Sequence, residues 1–157
     1  MNQLTKLNAA YIAGFLDGDG SIYVRVKPNT TYKYGFQIAP NIVFFQSQKE
    51  VKFLEKLKVI IGGGYIRLRN DGVAEYIIGD VETMKAFIKQ IEPHLILKKL
   101  QANLLIRILE KKDQVKSEND FLEVVILIDQ YKDLNYSKKR KNGFTTVNDS
   151  FKKSVTP

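Results

Sequence analysis

Ile12-Ala13-Gly14-Phe15-Leu16-Asp17-Gly18-Asp19-Gly20 closes an apolar, small-residue helical run on two carboxylates spaced two residues apart. From Asn8 to Gly18 the run has Ala10, Gly14 and Gly18 four residues apart. On a helix these share one face that another helix backbone can approach closely. A helix C-terminus is the negative end of its dipole, so Asp17 and Asp19 are disfavoured there unless a cation lies nearby. A divalent metal ion is one way to supply that cation. A plain Asp-Gly turn that stops the helix is the other, since both residue types are common at such ends. An EF-hand loop is excluded: its sixth position requires Gly and its twelfth a bidentate Glu, and here those positions hold Ile22 and Pro28.

The 157 residues suit one domain with an adequate core, and 44% hydrophobic content is ordinary for a folded chain. No run approaches transmembrane length, so no membrane partner is expected. Met1 to Asn8 is polar and shows no secretory signal, which makes an intracellular protein the simplest expectation. Zero cysteines exclude disulfides and thiolate metal sites. The lone His94 leaves carboxylates as the expected metal ligands. The net charge of +8 points to a polyanionic partner, and its distribution is uneven. Residues 136–157 carry six basic side chains against Asp149 alone, so this basic segment holds more than half of the excess. By itself such a tail fits a solvated surface or a targeting patch equally well.

After the first helix, Ser21, Tyr23, Arg25 and Lys27 alternate with Ile22, Val24 and Val26, the period-two signature of a strand with one wet face. Pro28 to Thr31 reads as a loop, and a second extended run follows from Phe36 to Gln46, interrupted by Pro40. Proline cannot donate to a ladder, so Pro40 is expected at an edge, a bulge or an unpaired position. No acidic residue occurs from Ser21 through Gln48. Such a surface suits phosphates and base edges, because Arg, Gln and Asn can engage bases bidentately while Lys mainly attracts phosphate.

Lys49 to Ile60 repeats Val51, Leu54 and Leu57 at helical spacing. Gly62-Gly63-Gly64 lacks the Lys-Ser/Thr ending of a phosphate-binding loop and reads as a turn. Tyr65, Arg67 and Arg69 share one face of a third strand, and Glu75 to Ile78 returns after Asn70-Asp71-Gly72. Asp80 caps a helix with Met84, Phe87, Ile88 and Ile91 on its apolar stripe, and Pro93 ends it. His94 is expected at the surface or in packing. Leu97 to Lys111 and Asn119 to Leu134 complete the helices. Two hairpins among helices fit an α+β fold in which a four-stranded antiparallel sheet is covered on one face and docks nucleic acid with the other.

Ile12 to Gly20 resembles the LAGLIDADG motif, matching it at Ala13, Gly14, Asp17, Asp19 and Gly20, in a single copy. The order of elements extends the resemblance over nearly the whole chain, to the homodimeric single-motif LAGLIDADG homing endonucleases encoded in group I introns. That moves the reading of the motif from turn to active site. The implied fold is αββαββα with an additional C-terminal helix: residues 1–135 form the endonuclease domain, and 136–157 are a basic C-terminal segment of it. The implied activity is site-specific, double-strand cleavage of a long, pseudo-palindromic DNA target that initiates intron homing and leaves short 3′ overhangs. An RNA-binding intron maturase, with intron RNA as partner, and a non-cleaving DNA-binding regulator are the alternatives on the same fold.

One chain offers too few acidic ligands for a metal site, whereas packing two copies of the first helix across a twofold axis brings two Asp19 carboxylates together. The resemblance implies Mg²⁺ held by Asp19 and the Gly18 carbonyl, with Mn²⁺ able to substitute and Ca²⁺ supporting binding without efficient cleavage. Asp17 caps or braces the helix end. The dimer interface is expected over Ala10, Ala13, Gly14 and Asp17. Gln46 and Lys98 match the positions around the catalytic water network, although Gln48 has the same strand parity and is the alternative glutamine. The sheet contacts map onto Arg25, Lys27, Asn29, Tyr32, Gln37, Arg67, Arg69 and Glu75. Ser137, Lys138 and Arg140 match a backbone-contacting basic region, expected to set salt dependence more than sequence choice. Lys, Ile and Asn usage is compatible with an AT-rich organellar genome, so a chloroplast or mitochondrion is a further expectation.

Overall fold

The computed structural model describes residues 1–135 and 142–154. In chain order these form α1 (Lys6–Asp19), β1 (Gly20–Pro28), β2 (Phe36–Ser47), a 3₁₀ turn (Gln48–Glu50), α2 (Val51–Ile61), β3 (Tyr65–Leu68) and β4 (Val73–Ile78). There follow α3 (Val81–Ile91), a 3₁₀ turn (Glu92–His94), α4 (Lys99–Asp113), α5 (Glu118–Asp129), α6 (Tyr131–Leu134) and α7 (Phe144–Ser154). The four strands make one sheet in the order β1-β2-β4-β3. This is the α+β architecture expected from the two hairpins. No helix among the described residues is long and apolar enough to cross a membrane.

Long-range packing divides the chain into two compact units, residues 1–23 with 40–103 and residues 24–39 with 104–157. In the first unit, β2 and β4 run antiparallel with Ile42 opposite Ile78 and Phe45 opposite Glu75, and β3 adds Arg67 opposite Glu75. Phe44 is central to the core. Its ring lies 5.6 Å from Phe15, 5.8 Å from Tyr76 and 6.2 Å from Phe87. Truncating so enclosed an aromatic costs about 3–5 kcal/mol. The stripe Met84, Phe87, Ile88 and Ile91 of α3 is wholly buried, and the Asp80 carboxylate caps the helix by accepting the Thr83 N–H at 2.7 Å. Gly62, Gly63 and Gly64 all have positive φ, so they form the expected turn. At Gly64 a Cβ would also strike the Ile77 carbonyl and the Tyr76 ring.

Pro40 does not break its strand, because β2 is continuous from Phe36 to Ser47. The β2–β4 ladder ends at Ile42 opposite Ile78, and the chain then turns towards Asp80 and α3, so Pro40 lies beyond the last paired residue on that side. On the β4 side, therefore, no ladder bond calls for the N–H that Pro40 lacks.

In the second unit the end of β1 and the start of β2 form a hairpin whose loop is closed by Asn29 N–H to the Gly35 carbonyl at 2.8 Å. Tyr34 packs its ring 5.2 Å from Phe121 and 6.4 Å from Phe151, and Phe121 lies 6.1 Å from Phe151. α5 begins one residue earlier than expected, because Ser117 N-caps it in a reciprocal capping box with Asp120. It also ends sooner: the Gln130 N–H is shared between the Leu127 and Ile128 carbonyls, and the helical ladder restarts as α6. α7 occupies a stretch expected only as basic tail. Val147 and Phe151 bury its inner face.

Candidate active site and nucleic-acid interface

The motif builds the end of α1 and the start of β1 without a turn between them. Ala9, Ile12, Ala13 and Leu16 are buried along the inner face. Gly20 has an extended backbone (φ −121°) and donates its N–H to the Leu16 carbonyl. A Cβ on Gly20 would lie 2.7 Å from that carbonyl oxygen and collide with Leu16 Cδ1. Close approach, not a left-handed turn, therefore demands glycine here, which corrects the Asp-Gly stop considered from the sequence.

Opposite this inner face, Leu7, Ala10, Tyr11, Gly14 and Gly18 are exposed. A Cβ on Gly14 or Gly18 would meet nothing within 4 Å, so the chain's own packing gives no reason for glycine at either position. Each glycine inside a helix costs roughly 0.5–1 kcal/mol relative to Ala. Ala13 is fully enclosed in its own chain, which takes it out of the outward face on which it was expected; the hundred-degree step from Gly14 turns it inward.

The two motif carboxylates have different surroundings. The Asp17 carboxylate accepts three backbone N–H groups, from Ile96 at 2.8 Å, Leu97 at 3.1 Å and Lys98 at 2.9 Å. Burial works to raise its pKa, but these bonds and the Lys98 charge outweigh it and hold the carboxyl below the ordinary 3.8. Asp17 thus braces the segment leading into α4, which starts at Lys99 and not at Leu97. Asp19 is exposed at the last position of α1.

Lys98 links these groups. Its ammonium donates to the Asp17 backbone carbonyl, in the half-buried space at the end of α1. Burial lowers its pKa, opposed by the charges of Asp17 and Asp19. The structure therefore brings Asp17, Asp19 and Lys98 to one place. Exposed Lys99 instead lies 3.7 Å from Glu92 as an ion pair.

The two glutamines separate by their tasks. The Gln48 amide donates to the Arg69 carbonyl and, at 3.4 Å, to the Val73 carbonyl, while its own N–H donates to the Gly72 carbonyl at 2.9 Å. Gln48 ties the end of β2 to the β3–β4 turn. Gln46, opposite Ala74, accepts the Ser47 N–H at 2.9 Å, a purely local bond. Gln48 is thus committed to holding the β3–β4 turn, whereas the Gln46 side-chain bond to Ser47 stays within its own strand.

Among the described residues no group of three or more His, Cys, Asp or Glu could hold a metal ion. His94 is exposed in a 3₁₀ turn. Exposed Asp19 and the adjoining Gly18 carbonyl offer hard oxygen donors at the negative end of α1, which suits a hard divalent cation with its remaining ligands from elsewhere.

The basic positions also divide by surroundings. In the first unit, Glu75 is only 3% exposed and receives the Arg67 guanidinium side-on, through Nε at 2.6 Å and through Nη2, with Arg69 Nη1 at 3.4 Å. The Arg67 pKa is raised, first by its hydrogen bond to Glu75. Glu75 holds two arginines and does not itself face outward. Arg69 also pairs with Asp71 at 2.5 Å, a partner the sequence showed only as a turn residue. In the second unit, Arg25 and Lys27 are exposed on β1, and Tyr32 is exposed in the loop. The Asn29 side chain folds that loop, accepting the Thr31 N–H at 3.1 Å and hydroxyl at 2.7 Å. Gln37 is half-buried at the start of β2. Ser137, Lys138 and Arg140 lie outside the described residues.

Residues 12–104 match the family model described as LAGLIDADG endonuclease. The chain is 42% identical over 138 residues to the DNA endonuclease I-CreI of Chlamydomonas reinhardtii, spanning 87% of this chain and 84% of that protein. It is 30% identical over 148 residues to the DNA endonuclease I-CvuI of Chlorella vulgaris, spanning 94% and 92%. A crystal structure of I-CvuI in complex with its DNA target in the presence of calcium superposes with a TM-score of 0.89 over 94% of each chain, at 30% identity. Another, with the I-CreI target in the presence of magnesium and the DNA not cleaved, gives 0.91 over 97% of each chain at 29% identity.

Proposed function

The chain belongs to the LAGLIDADG endonuclease family, and on that premise we propose that it is a divalent-metal-dependent, site-specific double-strand DNA endonuclease. It acts as a homodimer and initiates intron homing by cutting a pseudo-palindromic target. The observation that carries this reading is the end of α1, where an exposed Asp19 stands beside a lysine whose ammonium is anchored to the Asp17 carbonyl.

Dimerisation through the outward face of α1 is supported by Gly14 and Gly18, which are open and serve no need within the chain. Exposed Leu7 and Tyr11 on the same helix would gain cover. Pairing two such helices supplies the second Asp19 that one chain lacks. Asp19 and the Gly18 carbonyl would hold Mg²⁺, which when bound neutralises charge on the scissile phosphate and makes a nearby water a stronger nucleophile. Lys98 places positive charge beside the same phosphate, in a half-buried setting where the interaction is less screened by water. The Gln46 amide, able to donate and accept, orients the attacking water. Asp17 fixes the backbone that carries Lys98. The basic residues of both hairpins contact the duplex, and a twofold dimer repeats those contacts on successive half-sites.

Asp19→Asn tests the assignment. It should reduce cleavage in Mg²⁺ by at least about a thousandfold, a loss of several kcal/mol of charge stabilisation, while target binding in Ca²⁺ persists. Robust cutting by the folded variant would remove the metal role. Wild-type protein that selects DNA but cuts in neither metal would be a regulator, and one that ignores DNA but binds its intron RNA and promotes splicing would be a maturase.

A further inference from the structure

Resting on the DNA-reading assignment above, we infer that Asn142, at the entry to α7, is a specificity-positioning residue: its side chain fixes strand β1 where Arg25 and Lys27 project. The Asn142 amide donates to the Val26 carbonyl at 3.0 Å, joining positions 116 residues apart. Val26 lies between the two basic residues on a strand at the edge of the sheet. Edge strands have outward carbonyls without a ladder partner and are correspondingly easy to displace. A side-chain amide on one of those carbonyls acts as a single rung of a missing strand.

Other contacts of the second unit fix both ends of this rung. On the hairpin side, Tyr34 sits in the ring cluster with Phe121 of α5 and Phe151 of α7, and the Lys33 ammonium donates to the Lys116 carbonyl at 3.4 Å. On the α7 side, Asp129 accepts the Phe144 N–H at 2.9 Å, and a Cβ on Gly143 would come within 2.9 Å of the Asp129 carboxylate. The residue after Asn142 is therefore held close against α5, which leaves the amide little freedom to drift from Val26. The C-terminal region governs base choice through the hairpin it supports, in addition to any phosphate attraction.

The test is competition binding of the full chain in Ca²⁺, on target duplexes with each base pair substituted in turn. Arg25→Ala and Lys27→Ala first mark the base pairs that those residues read. Asn142→Ala should relax discrimination at the marked pairs by about three- to tenfold, the loss expected when one hydrogen bond no longer fixes a base-reading strand. Discrimination elsewhere and the salt slope should not change, and the melting temperature should stay within about 4 °C of wild type. Asn142→Gln, which keeps the donor on a longer arm, should relax the same pairs less and serves if the alanine variant does not fold. A uniform loss at all pairs, or unchanged discrimination at the marked ones, overturns the inference while leaving the nuclease reading intact. A wild-type protein without sequence preference overturns the DNA-reading premise and the inference with it.

Discussion

The β3–β4 hairpin and the β1–β2 hairpin both carry basic residues on an edge strand, yet only the first sets acids of its own hairpin against them. Arg67 and Arg69 converge on the buried carboxylate of Glu75, with Asp71 adding a second partner to Arg69. The β1–β2 region has Arg25, Lys27 and Lys33 and no acidic residue in its sequence from Ser21 through Gln48. A guanidinium held side-on by a carboxylate has already lost much of its rotamer freedom, which favours geometric recognition of a base, but part of its charge is spent before DNA arrives. A basic residue with no acid along its own hairpin gives more to the phosphate field and less to geometry. On the proposed DNA-reading role, base discrimination and raw affinity are thus weighted differently across one protein.

The sharpest challenge to this contrast is Glu75→Gln. Without the carboxylate, the two guanidinium groups repel each other and lose their shared seat. Discrimination at the base pairs they read should fall by about tenfold or more, within the range of one good bidentate contact. Non-specific affinity should rise, because the net charge becomes more positive. Both arginines are roughly half exposed, so the cost in stability should be only about 1 kcal/mol. Selection from a target library, set beside a salt titration on unrelated DNA, measures both halves. Weaker binding to every sequence would show that Glu75 serves the fold and not the reading.

Arg25→Ala and Lys27→Ala probe the other hairpin and should act on two levels, relaxing discrimination at the few base pairs they read and weakening binding to every sequence. Each is expected to lower affinity for all sequences and to reduce the log–log salt slope by about 0.9 for each phosphate that is no longer neutralised. Any position-specific effect should be smaller than that of Glu75→Gln. Salt titrations of each variant on target and non-target duplexes provide the measurement. An unchanged slope would mean that these residues do not meet phosphate, and the contrast between the hairpins would fail.

Local pattern made much of this fold legible. Period-two alternation from Ser21 to Lys27, the stripe from Met84 to Ile91 and the Asp80 cap each lie within a few residues, where sequence carries the physics directly. The parts that were not legible depend on distant partners. Asp17 could be seen as a brace, but its partners are 79–81 residues away, and they delay the start of α4 from Leu97 to Lys99. Gln46 and Gln48 have the same parity and become distinct only when the turn at Arg69 and Val73 takes up the Gln48 amide. Glu75 maps among the DNA contacts of the sheet in the sequence, and its burial is not legible there because the arginines that enclose it belong partly to the facing strand. Residues 136–157 read as a basic segment from their charge, whereas the apolar side of α7 becomes plain only where Val147 and Phe151 are buried.

The smallest expected effect comes from Asp71→Asn, and it separates burial from charge as the cause of the contrast. Asp71 meets Arg69 at 2.5 Å, but the two side chains are 51% and 44% exposed, and exposed pairs of this kind are worth about 0–1 kcal/mol. Asp71 also accepts the Val73 N–H at 3.3 Å, and Asn keeps an oxygen for that bond. The turn should therefore persist, with Gly72 still supplying its positive φ of 83°. Melting should change by no more than about 2 °C. Selectivity at the base pair read by Arg69 should change by no more than about threefold, because the 3.4 Å contact with buried Glu75 remains. If Asp71→Asn relaxed selectivity as much as Glu75→Gln, any nearby negative charge would be enough to order the arginines. A small effect beside a large one would assign the ordering to the enclosed carboxylate, because only the Glu75 oxygens are shielded from water that would otherwise compete for the guanidinium groups.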